Sequence, residues 1–385
     1  MKITEFITGI NDFTFNLYRG LSVKEKGNLI CSPKNISDCF AMLYAAARSD
    51  TAASMRSTMN FPNSCSTTLA SIQKINALLA KDTGATIKTA NAVWKSDGYP
   101  FSEAFEKTLK EGSGANLASA DFTKSKEVSD EINEWVGKQT LSEKGEPLIK
   151  DLVKPEMFNK DTVMALVSAI YFFATFKEKF NEGLTRKQPF NLSDGQQSEC
   201  QMMVRQGDYM LAKTDDLQMI EIPYAGDTVL NVILPTKQDG LADIEANMSS
   251  ELLQKLTAST RSGDTVLMLP KFKIESDLDL KESLSALGME IVFTDEANFR
   301  GAYPENSMAP SIKVSKAVHK AVIDTTEKGT EAAAATAVVM MKCSAMMRPE
   351  VPRRFIADRP FMYVITHRPT GAVLFVGRHD KPAGY

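Results

Sequence analysis

Apolar residues recur at helical spacing from the start of the chain. Ile3, Phe6, Ile7, Ile10, Phe13 and Leu17 share one face, which predicts an amphipathic helix. The same rhythm predicts helices over residues 38–47, 67–80, 101–110 and 128–138, the last with Val128, Ile132, Trp135 and Val136 on one side. The first 160 residues therefore read as mostly helical. From about residue 161 the texture changes. The stretch MALVSAIYFFATF (164–176) is β-branched and aromatic on both faces, as a central strand buried from either side should be. TVLNVILP (228–235) and TVLMLPKFKIES (265–276) predict further strands, the first ended and the second interrupted by proline. At the far end PFMYVIT, the turn HRPTG and AVLFVGR predict a β-hairpin with Gly371 at the turn exit. Helices gather early and strands late without βαβ alternation, so an α+β fold is expected rather than a doubly wound one.

Composition narrows the class. The 385 residues are 43% hydrophobic and 24% charged with a net charge of −3, as in an ordinary globular protein. That length exceeds a usual single core, yet no linker or internal repeat divides it, and one large domain over residues 1–385 is expected. The balanced charge gives no basis for a nucleic-acid partner, and no run approaches the ~18 apolar residues of a membrane span. Cys31, Cys39, Cys65, Cys200 and Cys343 are irregularly spaced and odd in number, so neither a disulfide framework nor structural zinc is expected. Glu5, Asn11 and Asp12 interrupt the apolar run a secretory signal requires. A reducing, cytoplasmic setting is expected, with release that uses no signal peptide left open. The N-x-S sequons at Asn35, Asn191 and Asn247 then read as chance matches.

Catalytic patterns are missing. There is no GxSxG nucleophile elbow and no P-loop, GxGxxG, HExxH or EF-hand signature, so no cofactor, metal or enzymatic activity is expected. The three histidines offer little. His367 falls in the hairpin turn and His379 beside the C-terminus, where a general base is poorly shielded. His319, inside the apolar run VSKAVHKAV, reads as a hydrogen-bonded core residue rather than a catalyst.

The most informative stretch is EKGTEAAAATAVVM (327–340). By propensity Ala332, Ala333, Ala334 and Ala335 suggest a helix. With period two, one face instead carries Thr330, Ala332, Ala334, Thr336, Val338 and Met340, all uncharged. The other face carries Gly329, Glu331, Ala333, Ala335, Ala337 and Val339, with its one charge at the leading end. MKCSAMMRPEVPRR (341–354) follows, cationic and broken by prolines, as an exposed loop. Two readings stand: a surface helix followed by a loop, or a segment able to live outside as a loop and inside as a strand.

Ordered motifs decide the comparison. SPKNIS, AMLYAAARSDTAASM, NAVWKSDGYPF, NEWVGKQT, LVSAIYFFATFKEKF, IPYAGDTVLNVILP, LPKFKIES, DLKESLSALGM, VSKAVHKAVIDTTEKGTEAAAATAV, ADRPFMYVI and VLFVGR follow one another from end to end. In this the chain resembles the serpin family, specifically its intracellular, ovalbumin-type group. The resemblance implies three β-sheets, about nine helices and a reactive-centre loop over roughly residues 327–356. It implies suicide inhibition of a serine protease as a covalent 1:1 complex formed by a monomer: the loop is cut, an acyl-enzyme forms, and the loop inserts into the central sheet.

The family pattern assigns the hinge to Glu327, Gly329, Thr330, Glu331 and Ala332 to Ala335. Counted from Glu327, it places the scissile bond between Cys343 and Ser344, which implies chymotrypsin-like, cathepsin G-like or elastase-like targets. A one-residue slip places it between Lys342 and Cys343, which implies trypsin-like targets. It also implies a polar cluster beneath the opening sheet from Ser32, Asn35, Ser168 and His319. Here Asn35 stands where the family usually has serine and Ser168 where it usually has asparagine, so an exchange of amide and hydroxyl is expected. Phe173-Ala174 replaces the usual Lys-Gly, and Phe176 the usual tryptophan. Lys74, Lys81 and Lys88 make too thin a basic stripe to expect heparin control. The rival reading keeps the fold without inhibition, as a binding, storage or chaperone protein; a bulky or charged Thr330 position or a proline among the alanines would favour it, and neither occurs.

Overall fold

The computed structural model describes residues 3–82, 84–113, 116–308, 310–330 and 351–383. Helix α1 (Ile3–Lys24) leads through β1 (Leu29–Cys31) into α2 (Pro33–Ala46), α3 (Ser49–Met59) and α4 (Cys65–Leu79). Then come β2 (Ala85–Ser96), α5 (Glu103–Ser113), β3 (Asn116–Ala120), α6 (Ser125–Gln139) and β4 (Met164–Thr175). Strands β5 (Arg186–Asn191), β6 (Gln197–Lys213), β7 (Leu217–Pro223) and β8 (Thr228–Pro235) precede α7 (Leu241–Asn247) and α8 (Ser250–Ser259). Next are β9 (Arg261–Pro270), β10 (Phe272–Asp279), α9 (Lys281–Leu284), β11 (Lys316–Thr325) and β12 (Gly329–Thr330). The chain closes with β13 (Arg353–Ile356), β14 (Phe361–His367) and β15 (Ala372–His379).

The architecture is α+β. A six-stranded sheet runs β10-β11-β4-β2-β3 with β12 against β4, and a nine-stranded sheet runs β1-β15-β14-β8-β7-β6-β9-β13 with β5 on β6. The latter has two lobes. The long β6 pairs with β5 along its first part but with β7 only at residues 210–213, so one strand carries the ladder from lobe to lobe. Strand β4 is buried on both faces, as its composition predicts. Ala165, Val167, Ala169 and Tyr171 pack into the core that includes Val128, Ile132 and Val136 of α6. Leu166, Ile170, Phe172 and Ala174 pack into the main core.

Expectations are corrected or refined at three points. Strands β2 and β3 lie within the region read as mostly helical. Residues 265–276 divide between two sheets: Pro270 ends β9 and Phe272 begins β10, since proline has no N–H to continue the ladder. His379 is fully buried among the rings of Phe190, Phe272 and Phe361 at 5.1–5.2 Å, because β15 stays paired with β14 to its last residue, His379 opposite Phe361. His367 is likewise buried, as the last residue of β14 rather than in the turn.

Candidate functional site

Across the middle of the six-stranded sheet, three polar side chains occupy one register level. His319 of β11 lies opposite Ser168 of β4, which lies opposite Asn91 of β2. Beneath this rung sits the start of α2, where Ser32 is the N-cap and Pro33 the first helical residue. The Ser32 backbone N–H donates to His319 Nε2 at 3.1 Å, so the ring proton lies on Nδ1 and points to Ser168 Oγ at 3.0 Å. Asn35 Nδ2 donates to Ser168 Oγ at 2.9 Å and to Asn91 Oδ1 at 3.0 Å. Asn91 returns a bond to Asn35 Oδ1 at 2.8 Å. Ser32 Oγ donates to the Leu374 carbonyl of β15 at 2.6 Å.

The structure thus brings Ser32, Asn35, Ser168 and His319 together, with the amide on α2 and the hydroxyl on β4. It adds Asn91, which the sequence reading did not single out. The available signal was an asparagine opening the otherwise apolar NAVW. In a buried network every member left without its partner costs about 1–3 kcal/mol.

Burial holds the His319 imidazole down at about 3, and His379 likewise. An unfolded histidine titrates near 6.5. Between those values the unfolded chain binds the extra proton, so the contribution is whole above about pH 6.5 and is lost as pH falls toward 3. Each histidine contributes a slope of about 1.4 kcal/mol per pH unit across that window. Urea unfolding midpoints at pH 7, 6 and 5 should fall accordingly, and more gently in His319→Gln. Equal slopes in the two proteins would show that His319 is not buried in its neutral form.

The second part of the site lies where β11 and β4 diverge. Their parallel pairing covers eight positions, ending at Ile323 opposite Phe172. Beyond it the chain reverses: Thr326 and Gly329 exchange backbone bonds of 2.7 and 3.0 Å, and β12 turns back along β4. Gly329 lies opposite Thr175 and Thr330 opposite Ala174. The other edge of Ala174 is already taken by Ala85 of β2, so β12 occupies the edge facing β11, as the opening residues of a strand between them.

This wedge is held firmly. Glu327 is 6% exposed; it accepts from Thr185 Oγ1 at 2.7 Å and pairs with Lys271 Nζ at 3.0 Å. Burial pushes its carboxyl up, but the bonds from Thr185 and Lys271 outweigh this and hold it below the usual range. The Phe176 N–H donates to the Lys328 carbonyl at 3.0 Å, and the Phe176 ring stacks on Tyr224 at 5.0 Å. Gly329 has φ +117°, and a methyl there would lie 2.3 Å from the Ala174 oxygen. Gly329→Ala is therefore expected to lower stability by at least about 1–3 kcal/mol, measured as an earlier urea midpoint. An unchanged midpoint would mean that β12 does not seat on β4.

Of the predicted hinge, Glu327, Gly329 and Thr330 are placed here. Glu331, Ala332, Ala333, Ala334, Ala335, Lys342, Cys343 and Ser344 lie outside the described residues. The chain resumes at β13, parallel to β9 in the other sheet, so residues 331–350 connect one sheet to the other. Among the described residues no cluster of His, Cys, Asp and Glu is placed to hold a metal ion.

A family model described as Serpin (serine protease inhibitor) matches residues 8–382. Leukocyte elastase inhibitor of Bos taurus is 35% identical over 368 residues, covering 92% of this chain and 93% of that protein. Neuroserpin of Homo sapiens is 30% identical over 385 residues, covering 97% and 91%. Among solved structures, Serpin48 of the insect Tenebrio molitor, described as highly specific, superposes with a TM-score of 0.87 at 29% identity over 99% of both chains.

Proposed function

The chain belongs to the serpin family, and from that premise we propose that it inhibits a serine protease by offering its 331–350 loop as a substrate that traps the attacker. The reading rests on one observation: β12 has already begun a strand on β4 with Gly329 and Thr330, in antiparallel register. Continued in that register, residues 331–340 run opposite 173–164, the remaining length of β4. Position 330 and every second residue after it then fall on the face of Phe172, Ile170 and Leu166, which lines the main core. Those residues are Thr330, Ala332, Ala334, Thr336, Val338 and Met340, all uncharged. Thr336 arrives opposite Ser168, so its hydroxyl enters the polar rung as His319 and Ser168 part.

The tether to β13 forbids this insertion while the loop is whole. Cleavage after Cys343 frees residues 331–343 from the second sheet, and the acyl-linked protease travels with them. The protein makes the covalent 1:1 complex as a cytoplasmic monomer, without a cofactor, and is not itself an enzyme. The test is incubation with chymotrypsin-like, elastase-like and trypsin-like serine proteases. An SDS-resistant complex with a C-terminal fragment beginning at Ser344 is expected; a fragment beginning at Cys343 would instead assign Lys342 to the specificity pocket. Cleavage by every protease without an adduct would overturn inhibition in favour of a binding, storage or chaperone role.

A further inference from the structure

Resting on that reading, we propose that the cavity beside the polar rung is a regulatory site for a small organic cation, whose binding holds the sheet closed. The cavity has a volume of about 400 Å3 and lies between β2 and β4 on one side and α2 and α4 on the other, a size that suits a small molecule. Its charged lining is Lys34, Asp38 and Asp82. Lys34 Nζ is committed to Asp38 and to Asn76 Oδ1, so those two charges cancel.

Asp82 is different. It is 8% exposed, and its carboxylate accepts from Thr228 Oγ1 at 2.6 Å and from the Gly84 N–H at 2.9 Å. Both donors are neutral, and among the described residues no salt bridge neutralises it. The 224–228 turn also closes on it so tightly that a methyl on Gly226 would lie 1.6 Å from Oδ1. A fixed carboxylate without a countercharge at the rim of a cavity selects an ammonium or guanidinium head and repels an anion. Leu79, Ile87 and Ile170 line the rest, which suits a short apolar body behind that head.

The location supplies the regulation. Ser32 ties the start of α2 to β11 and β15 and Asn35 ties it to β4 and β2, so the bonds of α2 to the two halves of the sheet cannot all survive a parting of β4 from β11. Admitting a strand between β11 and β4 moves β4, β2 and β3 aside by about one strand spacing, ~4.8 Å. A cation seated between α2 and the Ile87 and Ile170 wall of the cavity binds the closed form in preference to the open one and opposes that movement.

Calorimetry on the intact full chain with 2-phenylethylammonium should show binding at least tenfold tighter than with 2-phenylethanol or 3-phenylpropionate. Asp82→Asn should weaken it at least tenfold. Thr89→Phe, which fills the cavity from β2 and leaves Asp82 untouched, should abolish it while circular dichroism stays unchanged. Equal affinity for the alcohol, or undiminished binding by Asp82→Asn, would overturn the site. At saturating ammonium the covalent fraction formed with a trapped protease should fall at least threefold in favour of cleaved product, with the protease alone as control. An unchanged fraction would overturn regulation. Binding is read without a protease, so failure to trap any protease would sink the inhibitor reading while leaving the site itself tested.

Discussion

Thr330→Arg is expected to turn the chain from an inhibitor into a substrate, cleaved as fast as before but yielding at least a hundredfold less covalent complex. Residue 330 leads the proposed strand at the register position opposite Ala174, on the face shared with Phe172 and Ile170, and the residues behind it can follow only if that place is held. Burying an unpaired guanidinium there costs several kcal/mol, whereas a threonine loses little. In the proposed mechanism insertion races deacylation, and each ~1.4 kcal/mol added to its barrier slows it tenfold. A few kcal/mol therefore reverses the outcome. Thr330→Val, nearly isosteric, should keep complex formation close to the original. The measurement is the ratio of complex to cleaved product on denaturing gels across a titration of inhibitor against protease. If the arginine variant traps protease as well as the parent, insertion is not the trapping step.

The second large effect is thermal. Material cut in the loop should melt at least about 10 °C above intact material. The ten residues 331–340, added opposite 173–164, form a strand about 33 Å long at ~3.3 Å per residue. At ~0.5–1.5 kcal/mol net for each new hydrogen bond the ladder contributes on the order of ten kcal/mol. That rivals the whole stability of a typical domain, and each kcal/mol moves the midpoint of a large domain by a degree or more. On the proposed mechanism the intact form does not collect this energy, since β13, at the far end of the loop, is paired with β9 in the other sheet. Scanning calorimetry before and after limited proteolysis decides the matter. Equal melting temperatures would mean that the sheet stores nothing, and the proposed mechanism would have no driving force.

Some of this was legible from local pattern. β4 declares itself because a strand buried on both faces must be apolar at odd and even positions alike, and residues 164–176 are. The closing hairpin is legible because its two apolar runs flank HRPTG. Amphipathic α1, α4 and α6 follow from spacing for the same reason: each buries one stripe against the core. The small, uncharged alternation from Thr330 onward was legible as well, together with its ambiguity between helix and strand.

Other features depend on partners far away in the chain. β2 lacks a clean alternation of buried and exposed positions, and it is a strand because β4, some eighty residues later, supplies its ladder. Nothing local separates β9 from β10 except one proline, and only the ladders put them in different sheets. Likewise Asn91 becomes part of the site because three strands align it with Ser168 and His319 over the cap of α2. Residue types and their periods determined β4, the closing hairpin and the amphipathic α1, α4 and α6, and showed that β4 is fit to be buried on both faces. Tertiary structure decided which strands neighbour one another, where a buried charge is left unbalanced, and where β12 meets β4. Periodicity is set by a side chain's own burial, whereas register, pairing and cavities arise between segments that meet only after the chain has folded.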